Sequence, residues 1–266
     1  MSGLRLYFRY IGISVRSQLQ YRGSFVMQTL GHLTVTFAEF LAIWALFARF
    51  GSIKGWQLAE VAFFYGAVNT AFAIADSLTR GFDMAPQLVK MGDLDRYLLR
   101  PRSTVLQLLG YEFTLRRFGR FSQGVVILAV AASTLGVAWT AGKILLLLFT
   151  IAAAACLFMG LLILQATLAF WTTESLEIVN TVTYGGVETA QYPLPIYLPW
   201  FRKFFTFFIP LACVSYFPIV SIFGRSDPLG SPPWFRSVAP LAGVLFLGVA
   251  LCAWRFGLRH YGSTGS

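Results

Sequence analysis

Apolar positions along this chain do not alternate with charges at the period of a strand or of a soluble amphipathic helix. They gather into runs of about twenty residues that carry few charges. Such windows recur over 25–48, 57–79, 119–138, 144–171, 203–223 and 237–255. Twenty helical residues at 1.5 Å each cross a hydrocarbon layer of roughly 30 Å. Backbone amides find no partner in lipid, so each window predicts a helix. The pattern predicts an all-α polytopic membrane protein, one transmembrane domain over 1–266 with six transmembrane helices. The fourth window is longer than a bilayer needs and is expected to tilt or project.

Three stretches fall outside these windows. In residues 4–22, Leu4, Phe8, Ile11, Val15 and Leu19 share one helical face, while Arg5, Arg9, Arg16 and Gln20 take another. That spacing predicts an amphipathic helix within 1–24, lying in the membrane interface. Residues 173–202 carry Glu174, Glu177, Glu188, a Gly185-Gly186 break and three prolines, and so are not expected to make a single span. We expect a second cytoplasmic segment there, a helix followed by a Pro-fixed extended run. The turn-rich stretch 224–235 is expected outside, dipping back toward the outer leaflet.

Composition agrees with this class. Hydrophobic residues make up 57% and charged residues 12%, against about 25% charged in soluble domains. The net charge of +10 then serves topology, because basic loops are retained in the cytoplasm. With the N-terminus inside, 16 of the 21 Lys and Arg lie in cytoplasmic segments, including Arg202 and Lys203. Only Arg49, Lys54, Lys143, Arg225 and Arg236 fall outside. Both termini are thus expected in the cytoplasm. Charges spread over span ends, rather than over one surface, argue against nucleic acid as a partner. Cys156, Cys213 and Cys252 sit singly in apolar runs and read as packing residues. The arginines spread over the first 22 residues do not resemble a cleaved signal.

Chemistry-bearing motifs are scarce. The nearest approach to a phosphate-binding loop, GVAWTAGK at 136–143, has five residues between its glycines instead of four and no Ser or Thr after Lys143. His32 and His260 have no Cys or carboxylate at ligand spacing, and no GxSxG nucleophile occurs, so neither a metal nor an enzyme is expected. Polar residues inside the windows say more, because a carboxylate in hydrocarbon costs several kcal/mol unless paired or wet. Asp76 and Arg80, four apart, read as an intramembrane pair, and Glu60 as an interfacial residue at the outer mouth. Gln28, His32, Thr36 and Glu39 fall on one face of the first window. That stripe faces either another helix or a substrate path.

The most polar stretch is GDLDRYLLRPRS at 92–103, with five charges in twelve positions. Met84, Leu88 and Met91 form an apolar stripe that Gly92 can end, Asp93 is placed to cap a new helix, and Pro101 restricts its far end. Short rigid helices are expected within an 80–118 cytoplasmic region. Asp93, Asp95, Arg96, Arg100 and Arg102 would then present both signs of charge to a soluble partner.

This stretch, as LVKMGDLDRYLLRPRS at 88–103, resembles the cytoplasmic signature of ABC transporter type-2 permeases, in the subfamily with Gly-Asp-Leu-Asp followed by Leu-Leu-Arg-Pro. YPLPIY at 192–197 with Ile209-Pro210, and the closing WRFGLRHYGSTGS, extend the likeness over essentially the whole chain. The resemblance implies a permease subunit that dimerises, commonly with a related permease and in other cases with itself. It also implies two copies of a separate ATPase subunit, which binds ATP and Mg, with no cofactor on this chain. Such proteins are mostly exporters of drugs, lipophilic cations or lipid-like molecules, in the bacterial cytoplasmic membrane. Leu88, Met91, Gly92, Asp93, Asp95, Arg96, Leu98, Arg100 and Pro101 become the expected ATPase-coupling residues. An ion-coupled carrier using Glu39 and Asp76, or a membrane scaffold without transport, remain competing classes.

Overall fold

The computed structural model describes residues 3–20, 22–113, 117–172 and 176–262. Arg116, Glu174 and Ser263–Ser266, and the side chains of Leu4, Arg5, Phe8 and Glu177, lie outside the described part. In chain order the helices are α1 (Gly3–Gln20), α2 (Arg22–Phe50), α3 (Leu58–Lys90), α4 (Asp95–Leu98), α5 (Thr104–Leu109), α6 (Phe118–Thr134) and α7 (Ala141–Leu168). They continue as α8 (Leu176–Ala190), α9 (Pro199–Lys203), α10 (Leu211–Val214), α11 (Tyr216–Phe223), α12 (Pro233–Val238) and α13 (Leu241–His260).

The long helix α3 is the spine. It packs on α6 and α7, and α7 packs in turn on α13. Lipid is as apolar as a leucine, so helices gain little by leaving it and associate where backbones can approach. Glycines supply that approach. A Cβ on Gly66 would lie 2.7 Å from the Leu128 amide of α6, and one on Gly243 would lie 2.2 Å from the Ala153 carbonyl of α7. Buried aromatics fill the remaining space around α3, with Phe72 edge-on to Phe158 at 5.4 Å and Phe82 edge-on to Trp254 at 5.1 Å.

Among the described residues four helices are long and apolar enough to cross a membrane, namely α2, α3, α7 and α13. At 1.5 Å per residue the 33 residues of α3 reach about 50 Å, some 20 Å beyond the hydrocarbon, so the helix outruns its 57–79 window. The 119–138 window yields only the 17-residue α6, because Gly136 at φ 60 turns the chain out of the helix. Two expectations need correction. The 203–223 window is not one straight span: Pro199–Phe208 and Leu211–Phe223 meet at 74°. Pro210 has no N–H and pushes Ile209 into extended geometry, φ −116 and ψ 105. The Gly185-Gly186 break does not occur either. Gly186 sits inside α8, where a Cβ would meet Leu211 at 3.2 Å, so it serves close packing.

Both ends of the bent segment lie at the tight turn between α2 and α3. Ile53 and Trp56 pair across that turn, with Lys54 at φ 48 and Gly55 at φ 78. The Lys54 ammonium donates to the Ile196 carbonyl at 3.0 Å, just before α9. Arg225, just after α11, donates to Glu60 at 2.7 Å and to the Gly55 carbonyl at 2.9 Å, and lies over the Trp56 ring. Between these ends Phe205, Ile209, Leu211 and Val214 pack with Val68, Ala71 and Ala153, well inside the bundle. The segment therefore dips into the bundle and returns to the end it came from. The same contacts carry α8 from the level of Phe72, which Tyr184 meets at 5.7 Å, up to the Lys54 end. Residues 195–196 and Lys54 thus share one end, so a cytoplasmic 173–202 and an outside Lys54 exclude one another.

Candidate functional site

Two regions gather the polar chemistry of the bundle. The first lies halfway along α3, where Tyr65, Asn69 and Asp76 face Gln123, Arg120 and Arg117 of the antiparallel α6 and its N-cap. Arg117 Nε meets the Asp76 carboxylate at 2.7 Å, with the Asp76 side chain 1% exposed. Arg120 Nε donates to Asn69 Oδ1 at 2.8 Å, while its Nη2 lies 3.6 Å from Glu39 on α2 and the guanidinium covers the Phe72 ring. The Tyr65 hydroxyl donates to the Thr36 carbonyl at 2.8 Å, and the Thr36 hydroxyl is shared between the His32 carbonyl and Gln123 Oε1.

The polar stripe on α2 is thereby divided. Thr36 makes the contact between helices. Glu39 pairs with Arg120 and also lines a cavity of about 280 Å³ with Ile43, Leu46, Glu188, Gln191 and Tyr192. Gln191 is 1% exposed, and its amide nitrogen has no hydrogen-bond partner there. His32 is half-buried one turn before Thr36, and Gln28 is exposed and donates to Ser24 on its own helix at 3.1 Å. The pair expected between Asp76 and Arg80 is replaced: Asp76 takes Arg117, and Arg80 takes Asp83 at 3.1 Å. Helical spacing offers Arg80 only a neighbour on its own face, whereas Arg117 reaches Asp76 from the facing helix.

The second region caps the far end of α3, opposite Lys54. Gly92 at φ 71 ends the helix after Met91, and Leu94, fully buried, turns the chain back under it. The helix α4 follows, then the exposed turn through Arg100, Pro101 and Arg102, then α5. Gln107 ties this turn down by donating to the Tyr97 carbonyl at 2.9 Å and to the Arg102 carbonyl at 3.1 Å. Beneath, a Cβ on Gly81 would lie 1.9 Å from the Leu108 carbonyl, and Trp254 of α13 donates to Thr104 at 3.2 Å. Tyr261, just past α13, comes near Asp95; burial and that carboxylate push its pKa up. From the N-terminal side, Gln18 donates to the Phe113 carbonyl, and Tyr10 packs against Gly110, so α1 lies along this same end.

What faces outward is an apolar tip ringed by charge. Leu99 is 86% exposed, Met91 63% and Leu98 43%, beside Arg96, Arg100 and Arg102. Asp93 does not cap α4, whose N-cap is Leu94; its carboxylate meets Arg96 at 3.2 Å instead. Leu88 is directed inward, against the cluster around Phe82 and Trp254. Of the coupling set, Met91, Arg96, Leu98, Arg100 and Pro101 are thus on the surface, Asp93 at its edge, and Leu88 and Asp95 in the support beneath.

Sequence reading missed Leu94, Leu99, Arg117, Arg120 and Tyr261 as parts of these regions. Arg120 carried a usable signal, since it sits inside an apolar window as Glu39 does, with Arg117 and Gln123 three residues to either side. Leu94 and Leu99 carried none, because a leucine spells anchor and docking tip alike.

The sequence profile of a family described as "ABC-2 family transporter protein" matches residues 33–265. Among curated proteins and solved structures, nothing matches the chain significantly.

Proposed function

Since the chain belongs to the ABC-2 family of transporter proteins, whose members are the membrane-spanning component and not the ATPase, we propose that it forms half of the path of an ATP-driven exporter. In this reading α2, α3, α6, α7, α8 and α13 are the six crossings, and Pro199–Phe223 is a hairpin re-entering from outside. The end carrying Met91, Leu98 and Leu99 lies in the cytosol, together with both termini and the interfacial α1. Moving Arg202 and Lys203 to the outer end weakens the positive-inside bias without reversing it.

The observation that carries the proposal is the exposed Leu99 tip on a rigid support. A separate ATPase subunit, present in two copies with ATP and Mg, would take Met91, Leu98 and Leu99 into a cleft, with Arg96, Arg100 and Asp93 setting register. Leu94, Trp254 and the Tyr261–Asp95 contact join that tip to α3 and α13, so closure of the ATPase moves whole helices rather than bending a loop. A second permease chain, a homologue or another copy, supplies the other half of the path. Glu188 is exposed on α8 and Glu39 lines the cavity beside it. Carboxylates at that depth need water or a partner, which suits a path for a hydrophobic or amphiphilic substrate.

The test places a photo-crosslinking residue at position 99 or 94 in the assembled complex. Position 99 should capture the ATPase subunit, and position 94, enclosed by its own chain, should not. Equal capture at both positions, or none at 99, refutes the docking assignment.

A further inference from the structure

Arg202 and Lys203 lie on the descending arm of the hairpin, one turn beyond Ile196, which Lys54 holds at the outer end. Basic residues are ordinarily retained on the other side of the membrane, so their place calls for a counter-charge. Among the described residues no ion pair engages either cation. Asp227, in the loop that carries Leu229 and Ser231, is committed to that loop: it accepts from Tyr216 Oη at 2.7 Å, from the Leu229 amide at 3.0 Å and from the Ser231 amide at 3.1 Å. Ser231 in turn accepts from Arg236.

The two cations line a cavity of about 370 Å³ whose walls are otherwise largely apolar, with Phe207, Phe217 and Leu229 alongside Ser231. That volume falls within the range of roughly 300–1,000 Å³ typical of ligand sites. Around it Trp200, Phe207 and Phe208 are strongly exposed. An amphipathic ring such as that of Trp200 settles at headgroup depth. Two unpaired cations at headgroup depth above an apolar cavity match a phosphate above an acyl chain, and Arg grips phosphate through paired N–H donors.

We infer that this cavity binds an anionic phospholipid of the outer leaflet, with the phosphate on Arg202 and Lys203 and an acyl chain against Phe207, Phe217 and Leu229. The inference rests on the hairpin's place in the membrane and not on the exported substrate. A bound lipid here would brace the descending arm, whose head is otherwise tied by the Lys54 contacts to Pro195 and Ile196 and by the Tyr197 hydroxyl donating to the Thr189 carbonyl at 3.1 Å.

The full chain, purified and delipidated in detergent, is titrated with phosphatidylglycerol, phosphatidylcholine or glycerol 3-phosphate, and bound molecules are counted by native mass spectrometry. The wild type should retain phosphatidylglycerol at least roughly tenfold better than Arg202→Ala/Lys203→Ala, since each charged hydrogen bond lost is worth about one such factor. Phosphatidylcholine should bind weakly and equally to both. Glycerol 3-phosphate, lacking chains, should not displace the lipid at equal concentration. Arg202→Gln, which keeps the side-chain length, should lose several-fold and serves if the double variant does not fold. Undiminished phosphatidylglycerol retention in the variants overturns the inference. So does equal binding of phosphatidylcholine by the wild type, and so does displacement by glycerol 3-phosphate, which would mark a site for free anions.

Discussion

Removing Arg117 tests the packing of α6 on α3 at its most costly point. Arg117→Ala takes away the guanidinium 2.7 Å from a carboxylate that is 1% exposed. Losing one partner of a buried pair costs about 3–5 kcal/mol, because the remaining charge keeps its desolvation penalty. That is more than a hundredfold in the folded fraction. Asp76→Asn should cost less, about 1–3 kcal/mol, because Arg117 at 19% exposure can extend its head toward the interface. The double variant Asp76→Asn/Arg117→Ala removes the charge that Arg117→Ala alone leaves stranded, so the two losses should not add. The assay is equilibrium unfolding in mixed micelles followed by tryptophan circular dichroism, with the four proteins compared as a cycle. We expect a coupling energy of at least about 2 kcal/mol between positions 76 and 117. A parallel cycle with Arg80→Ala should give a coupling below about 0.5 kcal/mol, since Arg80 is engaged with Asp83. Additive losses at 76 and 117, or strong coupling of 76 to 80, would refute the pairing and the helix register that rests on it.

Other consequences can be checked separately. Glu39→Gln should change which substrates are exported, cationic ones above all, while Glu39→Leu should also weaken assembly; transport assays over a charge series decide this, and identical profiles for wild type and Glu39→Gln remove Glu39 from the path. Burial raises the pKa of Asp227, but hydrogen bonds from Ser231, Leu229 and Tyr216 outweigh it and hold the carboxyl below its usual value. Its stabilising contribution is therefore complete above the unfolded carboxyl pKa and is lost as pH falls through the lower folded value. Protease sensitivity of the 224–235 loop should rise in that acid range in the wild type, and Asp227→Asn should show the raised sensitivity already at neutral pH. Tyr261→Phe should leave folding nearly unchanged, within about 1 kcal/mol for one polar contact, yet speed amide exchange across residues 93–99; unchanged exchange there argues against a C-terminal brace on α4.

The helical class, the α3 spine and the turn at 92–103 were legible because each rests on a local signal: apolar length for the spans, Gly92 and the mixed charges for the turn. Elements set by tertiary contact were not. The hairpin reads as one apolar span, and only the shared anchorage of Ile196 and Arg225 at the 53–56 turn shows that it returns. The helix α8 looks polar and glycine-broken, so its passage beside Phe72 is invisible until Gly186 is seen against Leu211. Asp76 illustrates the limit for sites: helical spacing suggests Arg80, but the partner comes from a helix some forty residues further on, which no periodicity reveals. Asp93 and Leu88 failed in the same way, since capping and docking depend on which side of a short turn the rest of the chain covers.

The central claim is that Leu99 and its neighbours couple this chain to a separate ATPase. Leu99→Asp, reconstituted with the ATPase subunit in proteoliposomes, measures it through substrate-stimulated ATP hydrolysis. Burying a leucine is worth about 1.5–3 kcal/mol, and a carboxylate in the same cleft adds a desolvation cost. The substitution touches no internal contact, since Leu99 is 86% exposed. The account predicts that stimulation is abolished while the chain still folds and inserts. Stimulation equal to the wild type would contradict it.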